Sequence, residues 1–533
     1  MPKILVSDPI AEAGIAILRD IPGAEVDVKL GLPPAELKAI IGEYAALAVR
    51  SETKVTADIL SAASQLQIIG RAGVGVDNID VTAATQKGVV VVNSPEGNTL
   101  AAAELAVALL LTLARKIPQA DASLRAGKWE RKKFVGTEVY GKTVGIIGLG
   151  KIGRSVAQRM KSFETTVIAY DPFATPDSGK RIGVEIVSLE ELYQRSDFIT
   201  IHVPLNNDTR GMIGAAQIAQ MKDGVRIINC ARGGLADEAA LADAIKSGKV
   251  GGVAFDVFSK EPPEPENPLL ALTENVITPH LGASTEEAQV NVAIDIAEQI
   301  ADVLQGRPAR SAVNLPALSA DEMAKVAPFL VLASKIGSLQ AQLNRETSGA
   351  GRAINGVEVT FSGEWSGVPT ESVTRAVLQG LMQPVLEDPV NLVNAPVLAE
   401  ARGIKVTESF RRMTPGHSCL LTVRAHFPGG DREICGAIYG SEARIVHIDG
   451  YTVDIAPFGP MIVTQHTDQP GIIGRVGTLL GEAGVNIGGM HVGREGAGKR
   501  AIMALMVDSE VSGAMLDAIR AIPGMETAQS VNL

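Results

Sequence analysis

The chain has 533 residues, a formal net charge of −11 and 46% hydrophobic residues. That length supports three or four domains with substantial cores, and the acidic balance argues against a nucleic-acid or anionic-membrane partner. Its three cysteines, Cys230, Cys419 and Cys435, form no CxxC pair, which fits a reducing, cytoplasmic setting without a disulfide framework.

The first residues run straight into an apolar strand, so no signal peptide is expected. Short apolar runs at 4–7, 26–29, 46–49, 67–70 and 89–92 alternate with helical patterns. Runs apolar on both faces indicate a parallel sheet covered by helices. A long Ala/Leu helix follows at about 99–116. The longest apolar run, 105–114, is too short to span a bilayer. A second series of strands is expected at 144–147, 167–170, 185–187, 198–203, 226–229, 252–256 and 276–278. Ser284-Thr285-Glu286-Glu287 reads as a capping box. The helix it opens carries Ala293, Ile296, Ile300 and Val303 on one face, and should return to the first domain. The expected division is a flavodoxin-like α/β substrate domain (1–95 and 290–315) into which a Rossmann-type nucleotide domain (96–289) is inserted. An intervening α+β domain (316–455) follows, with an exposed-face strand at 354–365 and hairpin strands in 434–455. The last unit (456–533) reads strand, helix, strand, strand, helix, strand, a ferredoxin-like βαββαβ order.

The second series opens on a dinucleotide fingerprint. An apolar strand runs into Gly148-Leu149-Gly150-Lys151-Ile152-Gly153 and then into a helix, and the next strand ends on Asp171. Gly148 permits the tight turn, Gly150 lets a pyrophosphate approach the backbone, and Gly153 lets helix and strand pack. The helix N-terminus faces the phosphates with its partial positive charge. Asp171 is placed to accept from a ribose diol and to repel a 2′-phosphate, which favours NAD over NADP.

Three loops follow strands of this domain, where such sheets bind ligands. Arg232, in Asn229-Cys230-Ala231-Arg232-Gly233-Gly234, offers a planar fork for a carboxylate; a structural salt bridge is the plainer use. Glu261 and His280 lie in the other two loops. A carboxylate beside an imidazole fixes its orientation and favours the protonated form, and such a His serves as base in alcohol oxidation or acid in the reverse. For Glu261 alone, an exposed loop acid is the plainer reading. His202 reads as packed, and His417, His426, His447 and His491 show no ligand spacing, so no metal site is expected.

Arg232, Glu261 and His280, together with the glycine loop and Asp171, resemble the D-isomer-specific 2-hydroxyacid dehydrogenases. The segments 70–80, 127–134, 229–234 and 279–284 are similar to the phosphoglycerate-oxidising branch of that family, and the resemblance covers essentially the whole chain. Its long form adds an intervening domain and a C-terminal ACT domain, matching the last two units. The resemblance implies that Arg232 grips the substrate carboxylate and that Glu261 with His280 forms the proton relay. It implies NAD contacts at Val74, Gly148, Gly150, Lys151, Ile152, Gly153, Asp171, Val203, Cys230, Ala231, Asp256, Gly282 and Ala283. The implied substrate is 3-phosphoglycerate, oxidised at C2 at the entry to serine biosynthesis. Its phosphate needs further cations, for which Arg50, Arg71, Arg131 and Lys132 are the candidates. In the family the segment with Arg131 reaches a paired subunit, implying a homodimer or homotetramer. The C-terminal unit resembles an ACT module at 464–474, where His466, Asp468 and Asn486 are candidates to bind L-serine as a feedback ligand; a purely structural dimerisation module is the alternative. A glyoxylate/hydroxypyruvate reductase, or an NAD-sensing interaction protein on the same fold, remains open from the sequence.

Overall fold

A computed structural model describes residues 1–533 apart from 317, 345–353, 388 and 413–417; His417 lies outside the described residues. The first sheet is wholly parallel, in the order β2-β1-β3-β4-β5. Its strands are β1 (Lys3–Val6), β2 (Glu25–Val28), β3 (Ala46–Val49), β4 (Ile68–Arg71) and β5 (Val90–Asn93). Leu37, Ile41, Ile59 and Leu60 cover one face. On the other, the helix Glu286–Leu304 lays Ile296, Ala297 and Ile300 against Ile4, Val6, Ala46 and Ile68. A helix lying beyond the nucleotide domain in sequence thus completes the core of the first domain. Its cap differs from the expected capping box. Thr285 is the N-cap and accepts from Ala288 N–H at 3.1 Å, so the residue three positions on is an alanine with no side chain to reach back.

The second sheet is also parallel, in the order β12-β11-β10-β9-β6-β7-β8. The strands are β6 (Thr143–Ile147), β7 (Thr166–Tyr170), β8 (Glu185–Ile186), β9 (Phe198–Ile201), β10 (Val225–Asn229), β11 (Val250–Phe255) and β12 (Val276–Ile277). Strand order reverses beside β6, so a crevice opens at the carboxyl ends of β6 and β9, the usual seat of a ligand in such sheets.

The third sheet is mixed, in the order β14-β13-β15-β16-β17-β18. It comprises β13 (Gly356–Gly363), β14 (Lys405–Arg411), β15 (Cys419–Phe427), β16 (Gly430–Tyr439), β17 (Glu442–Ile448) and β18 (Tyr451–Ile455). Contrary to the expected exposed-face strand, β13 is buried on most of both faces. Val357, Val359 and Phe361 point into the core, while Thr360 on the other side is covered and bonds Ser409 at 2.8 Å. The helix Ala320–Leu343 is, over Asp321–Leu343, long and apolar enough to cross a bilayer by composition. Its apolarity has another cause: Val326, Leu332, Ile336 and Leu339 pack into this domain's core.

The fourth sheet, β20-β21-β19-β22, is antiparallel and built from β19 (Pro460–Thr467), β20 (Ile487–Arg494), β21 (Arg500–Val507) and β22 (Met525–Asn532). One face lies under the helices Ile472–Glu482 and Gly513–Arg520. The other face contributes Met461, Val463, Ile502, Ala504 and Val531 to the core of the third domain. The third domain in turn touches the first: Asn391 Nδ2 donates to Gly88 O at 2.8 Å.

The return helix depends on one small residue. At Gly14, in the helix Glu12–Arg19, a Cβ would stand 2.6 Å from Ala293 O, so a side chain there pushes the two helices apart. Gly14→Val should therefore destabilise the first domain by about 1–3 kcal/mol, the usual cost of overpacking, read as a lowered thermal unfolding midpoint. An unchanged midpoint would mean that the helix pair is not tightly packed.

Candidate active site

The glycine loop is shaped by what cannot be there. Gly148 has φ +94°, and a Cβ on it would stand 2.6 Å from His202 O. At Gly150 nothing lies within 4 Å of a Cβ position: this stretch of backbone faces open space. An exposed backbone at the start of the helix Lys151–Ser162, with a void before it, is what a pyrophosphate requires. Asp171 holds the loop. One of its oxygens accepts from Leu149 N–H at 2.7 Å, the other from Phe173 N–H at 2.8 Å. The residues present thus fit a dinucleotide. Ile152 starts the same helix, and Val203 Cγ1 closes against the Gly148 turn. Lys151 Nζ pairs with Glu96 in the segment between the first two domains.

His280 stands on the loop after β12 with φ +54°, a left-handed conformation that is costly for a residue with a Cβ. The loop is kept there by Asp256, which follows β11 and is fully buried. Its Oδ1 accepts from Thr278 Oγ1 at 2.6 Å and Leu281 N–H at 2.7 Å, and its Oδ2 from Gly282 N–H at 2.9 Å. His280 N–H donates to Asp256 O. Expected as a cofactor contact, Asp256 uses its carboxylate to bind the loop that carries His280. Burial raises its carboxyl pKa, against the opposing pull of these donors and His280. Cys230, expected beside the cofactor, is half-buried; desolvation, with Asp256 nearby, pushes its thiol up, so it stays neutral.

The imidazole Nδ1 of His280 lies 2.7 Å from Glu261 Oε2, while Glu261 Oε1 accepts from Phe258 N–H at 3.1 Å. Burial works against ionisation of Glu261, but His280, the Phe258 N–H and Arg232 outweigh it and hold the carboxyl below its ordinary value. The carboxylate therefore persists to lower pH than in a free glutamate. His202, by contrast, is neutral: burial lowers it to about 4, and its ring bonds Thr200 at 2.9 Å.

Arg232, in electrostatic reach of Glu261, is also in reach of Arg71, which in turn feels Arg50. Arg232 follows β10, Arg71 ends β4 and Arg50 follows β3. Arg71 is largely buried, with Nε unpartnered. Desolvation, together with Arg232 and Arg50 and against Asp77 and Asp8, lowers its pKa to about 10. Two glycines make the room. A Cβ at Gly73 would collide with Arg71 Nη1, and one at Gly75 with Arg232 Nη2. Arg232 Nε pairs with Asp77 at 3.2 Å, an ion pair between the nucleotide and substrate domains. Sequence reasoning did not single out Asp77, Asn78 or Asp8. The segment 70–80 signalled Asp77 and Asn78 only as a motif, without a role for each residue, and no motif pointed to Asp8. Arg131 and Lys132 lie apart, on an exposed loop around a separate cavity with Trp129, Lys133 and Val135. Val74 O accepts from Asn93 Nδ2 at 2.5 Å at the edge of the first domain. Ala231 follows β10, its carbonyl accepting from Arg232 Nη1 at 2.7 Å, and Ala283 follows Gly282 in the His280 loop.

Comparison with known proteins agrees with this geometry. Residues 107–282 match the NAD-binding domain of the D-isomer-specific 2-hydroxyacid dehydrogenases. Residues 325–449 match the D-3-phosphoglycerate dehydrogenase intervening domain, and 461–524 the ACT domain. The chain is 48% identical to a D-3-phosphoglycerate dehydrogenase of Archaeoglobus fulgidus over 533 residues, all of both chains. It is 47% identical to the Synechocystis enzyme of that name, over all of this chain and 95% of the other. The chain belongs to the D-3-phosphoglycerate dehydrogenase family. Among solved structures it is similar to the TT0316 protein of Thermus thermophilus (33% identity, TM-score 0.55; 58% of this chain, 99% of that one). A glyoxylate reductase from Paecilomyes thermophila (30%, TM-score 0.54; 58% and 98%) is similar over the same fraction.

The family's ACT module holds the three effector candidates, and one chain does not bring them together. His466 is buried beside Thr464, and Asp468, just beyond β19, pairs with Arg494 at 3.3 Å. Asn486 precedes β20 and donates to Asp508 at 2.8 Å. Thr467 is opposite Arg500 while Ile487 is opposite Val507, so Asp468 and Asn486 lie at opposite ends of the sheet, roughly 30 Å apart at the strand rise.

For the relay, Glu261→Gln keeps an acceptor for Phe258 N–H but removes the charge facing His280. Turnover should fall by roughly 10²–10⁴-fold, the range of general acid–base groups and of imidazoles deprived of their carboxylate partner, with NADH affinity unchanged by fluorescence titration. Wild-type turnover would make Glu261 an ordinary loop acid.

Proposed function

We propose that this protein oxidises 3-phospho-D-glycerate at C2 to 3-phosphohydroxypyruvate with NAD, the entry step of L-serine biosynthesis. The observation that carries the reading is the His280–Glu261 pair at 2.7 Å, with Arg232 in electrostatic reach of both Glu261 and Arg71. Arg232 takes the substrate carboxylate, and Arg50 with Arg71 takes the phosphate. With Nδ1 engaged by Glu261, Nε2 of His280 is the nitrogen left to receive the C2 hydroxyl proton. Nicotinamide, when bound, supplies the hydride acceptor. The glyoxylate reductase reading has no use for the extra cations or for the last two domains.

Asp171 supports NAD as the cofactor. Its charge stands at the glycine loop, held by Leu149 and Phe173, where a 2′-phosphate would meet it. The ACT module supports L-serine as effector. Since Asp468 and Asn486 lie at opposite ends of one sheet, a site using both needs two modules side by side, which supports a homodimer or larger assembly. The free cysteines support a cytoplasmic setting.

Initial rates with 3-phosphoglycerate test the reaction directly, and absence of turnover with NAD would overturn it. His280→Ala should lower turnover by roughly 10²–10⁴-fold without loss of NADH binding. In the same assay Asp171→Ala should narrow the preference for NAD over NADP; comparable efficiency of the wild type with both would exclude the role given to Asp171. Asp468→Ala removes an acceptor for an ammonium group and should weaken inhibition by L-serine while leaving uninhibited turnover intact. Calorimetry showing no serine binding up to millimolar concentration would reduce the module to an assembly role.

A further inference from the structure

Asp8 lies just beyond β1, in the first domain, and is buried to 1% exposure. A carboxylate that far from water is costly unless donors surround it. Its donors come from one short loop. Oδ2 accepts from Arg50 N–H at 2.7 Å and Glu52 N–H at 3.1 Å, and both oxygens accept from Thr53 N–H at 3.0 and 3.1 Å. The Thr53 hydroxyl also donates to Oδ1, and Ser7 Oγ lies 3.0 Å from that hydroxyl. The opposite side of the loop is held by an amide. Asn78 Nδ2 donates to Arg50 O at 3.2 Å and to Thr53 O at 2.7 Å. The loop 50–53 is thus pinned through its N–H groups by Asp8 and through its carbonyls by Asn78.

What that loop presents is Arg50. It carries no regular structure between β3 and the helix Ala57–Ala62, so nothing in the strand or helix fixes where its guanidinium stands. Arg50 also sits within electrostatic reach of the largely buried Arg71, and like charges in such a place tend to separate. We propose that Asp8, with Asn78, is a positioning residue of the phosphate subsite: it moulds the loop 50–53 into the anion-receiving shape that brings Arg50 beside Arg71. Neither residue touches the reacting atoms. The inference rests on the reading that Arg50 and Arg71 receive the substrate phosphate.

The test separates the two ends of the substrate with two small competitive inhibitors of the intact enzyme. Inorganic phosphate probes the Arg50–Arg71 end, and glycolate probes the Arg232 end. Asp8→Asn keeps the volume but loses charge and acceptor capacity. It should raise the inhibition constant of phosphate on the order of 10-fold, the scale of a lost charge-assisted hydrogen bond or an ångström-scale misplacement. The constant for glycolate and the affinity for NADH should stay within about twofold. Asn78→Ser removes the two amide donors without touching a buried charge, should show the same selective loss, and decides the matter if Asp8→Asn does not fold. Arg50→Ala is the control for the underlying reading. If it leaves phosphate inhibition unchanged, Arg50 is not in the subsite and that reading fails. If Arg50→Ala weakens phosphate but Asp8→Asn and Asn78→Ser do not, the positioning role is overturned. An equal loss for phosphate, glycolate and NADH would likewise overturn it, since a general loosening of the domain moves all three.

Discussion

The cleft depends on holding three guanidinium groups close together in a partly dry place. Left to themselves they would separate, and Arg71 already loses basicity to burial and to its neighbours. The fold resists this with fixed backbone and two carboxylates. Gly73 and Gly75 remove the side chains that would fill the space, Asp77 ties Arg232 from across the cleft, and Asp8 shapes the loop bearing Arg50. On the proposed reading, a trianionic substrate relieves the repulsion, so the binding energy it gains includes strain stored before it arrives.

The proton relay is built on the same plan with the signs reversed. His280 sits in an unfavourable backbone conformation, kept there by three donors to the buried Asp256 carboxylate and by its own N–H donating to the Asp256 carbonyl. Asp256 and Asp8 are equivalent devices in different domains. Each follows a parallel strand, each is buried to 1% or less, and each spends its oxygens on the backbone of a functional loop. The parallel sheet supplies the rigid end of the bond, and the loop supplies the chemistry.

Much of this was legible in the sequence, because periodicity and glycine spacing report local geometry. The fingerprint at 148–153 with Asp171 and the βαββαβ order of the last unit rest on such patterns, whereas the grouping of Arg232, Glu261 and His280 came from the family resemblance. Other features rest on pairing that sequence does not display. Glu358, Thr360 and Ser362 made β13 look half-exposed, yet β14 supplies Ser409 to cover and bond Thr360. Asp468 and Asn486 looked like neighbours in one pocket, and only the register of β19, β20 and β21 separates them. Ser284 to Glu287 read as a capping box, and the structure caps the helix with Thr285 instead. Asp8 had no signal, and Asn78 no role within its motif, until their partners, 25 or more residues away in the chain, were in place.

The fourth sheet gives one whole face to the core of the third domain, with Gln342 and Asn532 bonding reciprocally across the join. Two annotatable modules are therefore one hydrophobic body. Recombination that cuts between them would leave each with an uncovered apolar wall, whereas a crossover ahead of the helix Ala320–Leu343 leaves both intact. In gene fusion, natural or engineered, the heritable cassette is the pair, and the sensor travels with its own mounting plate.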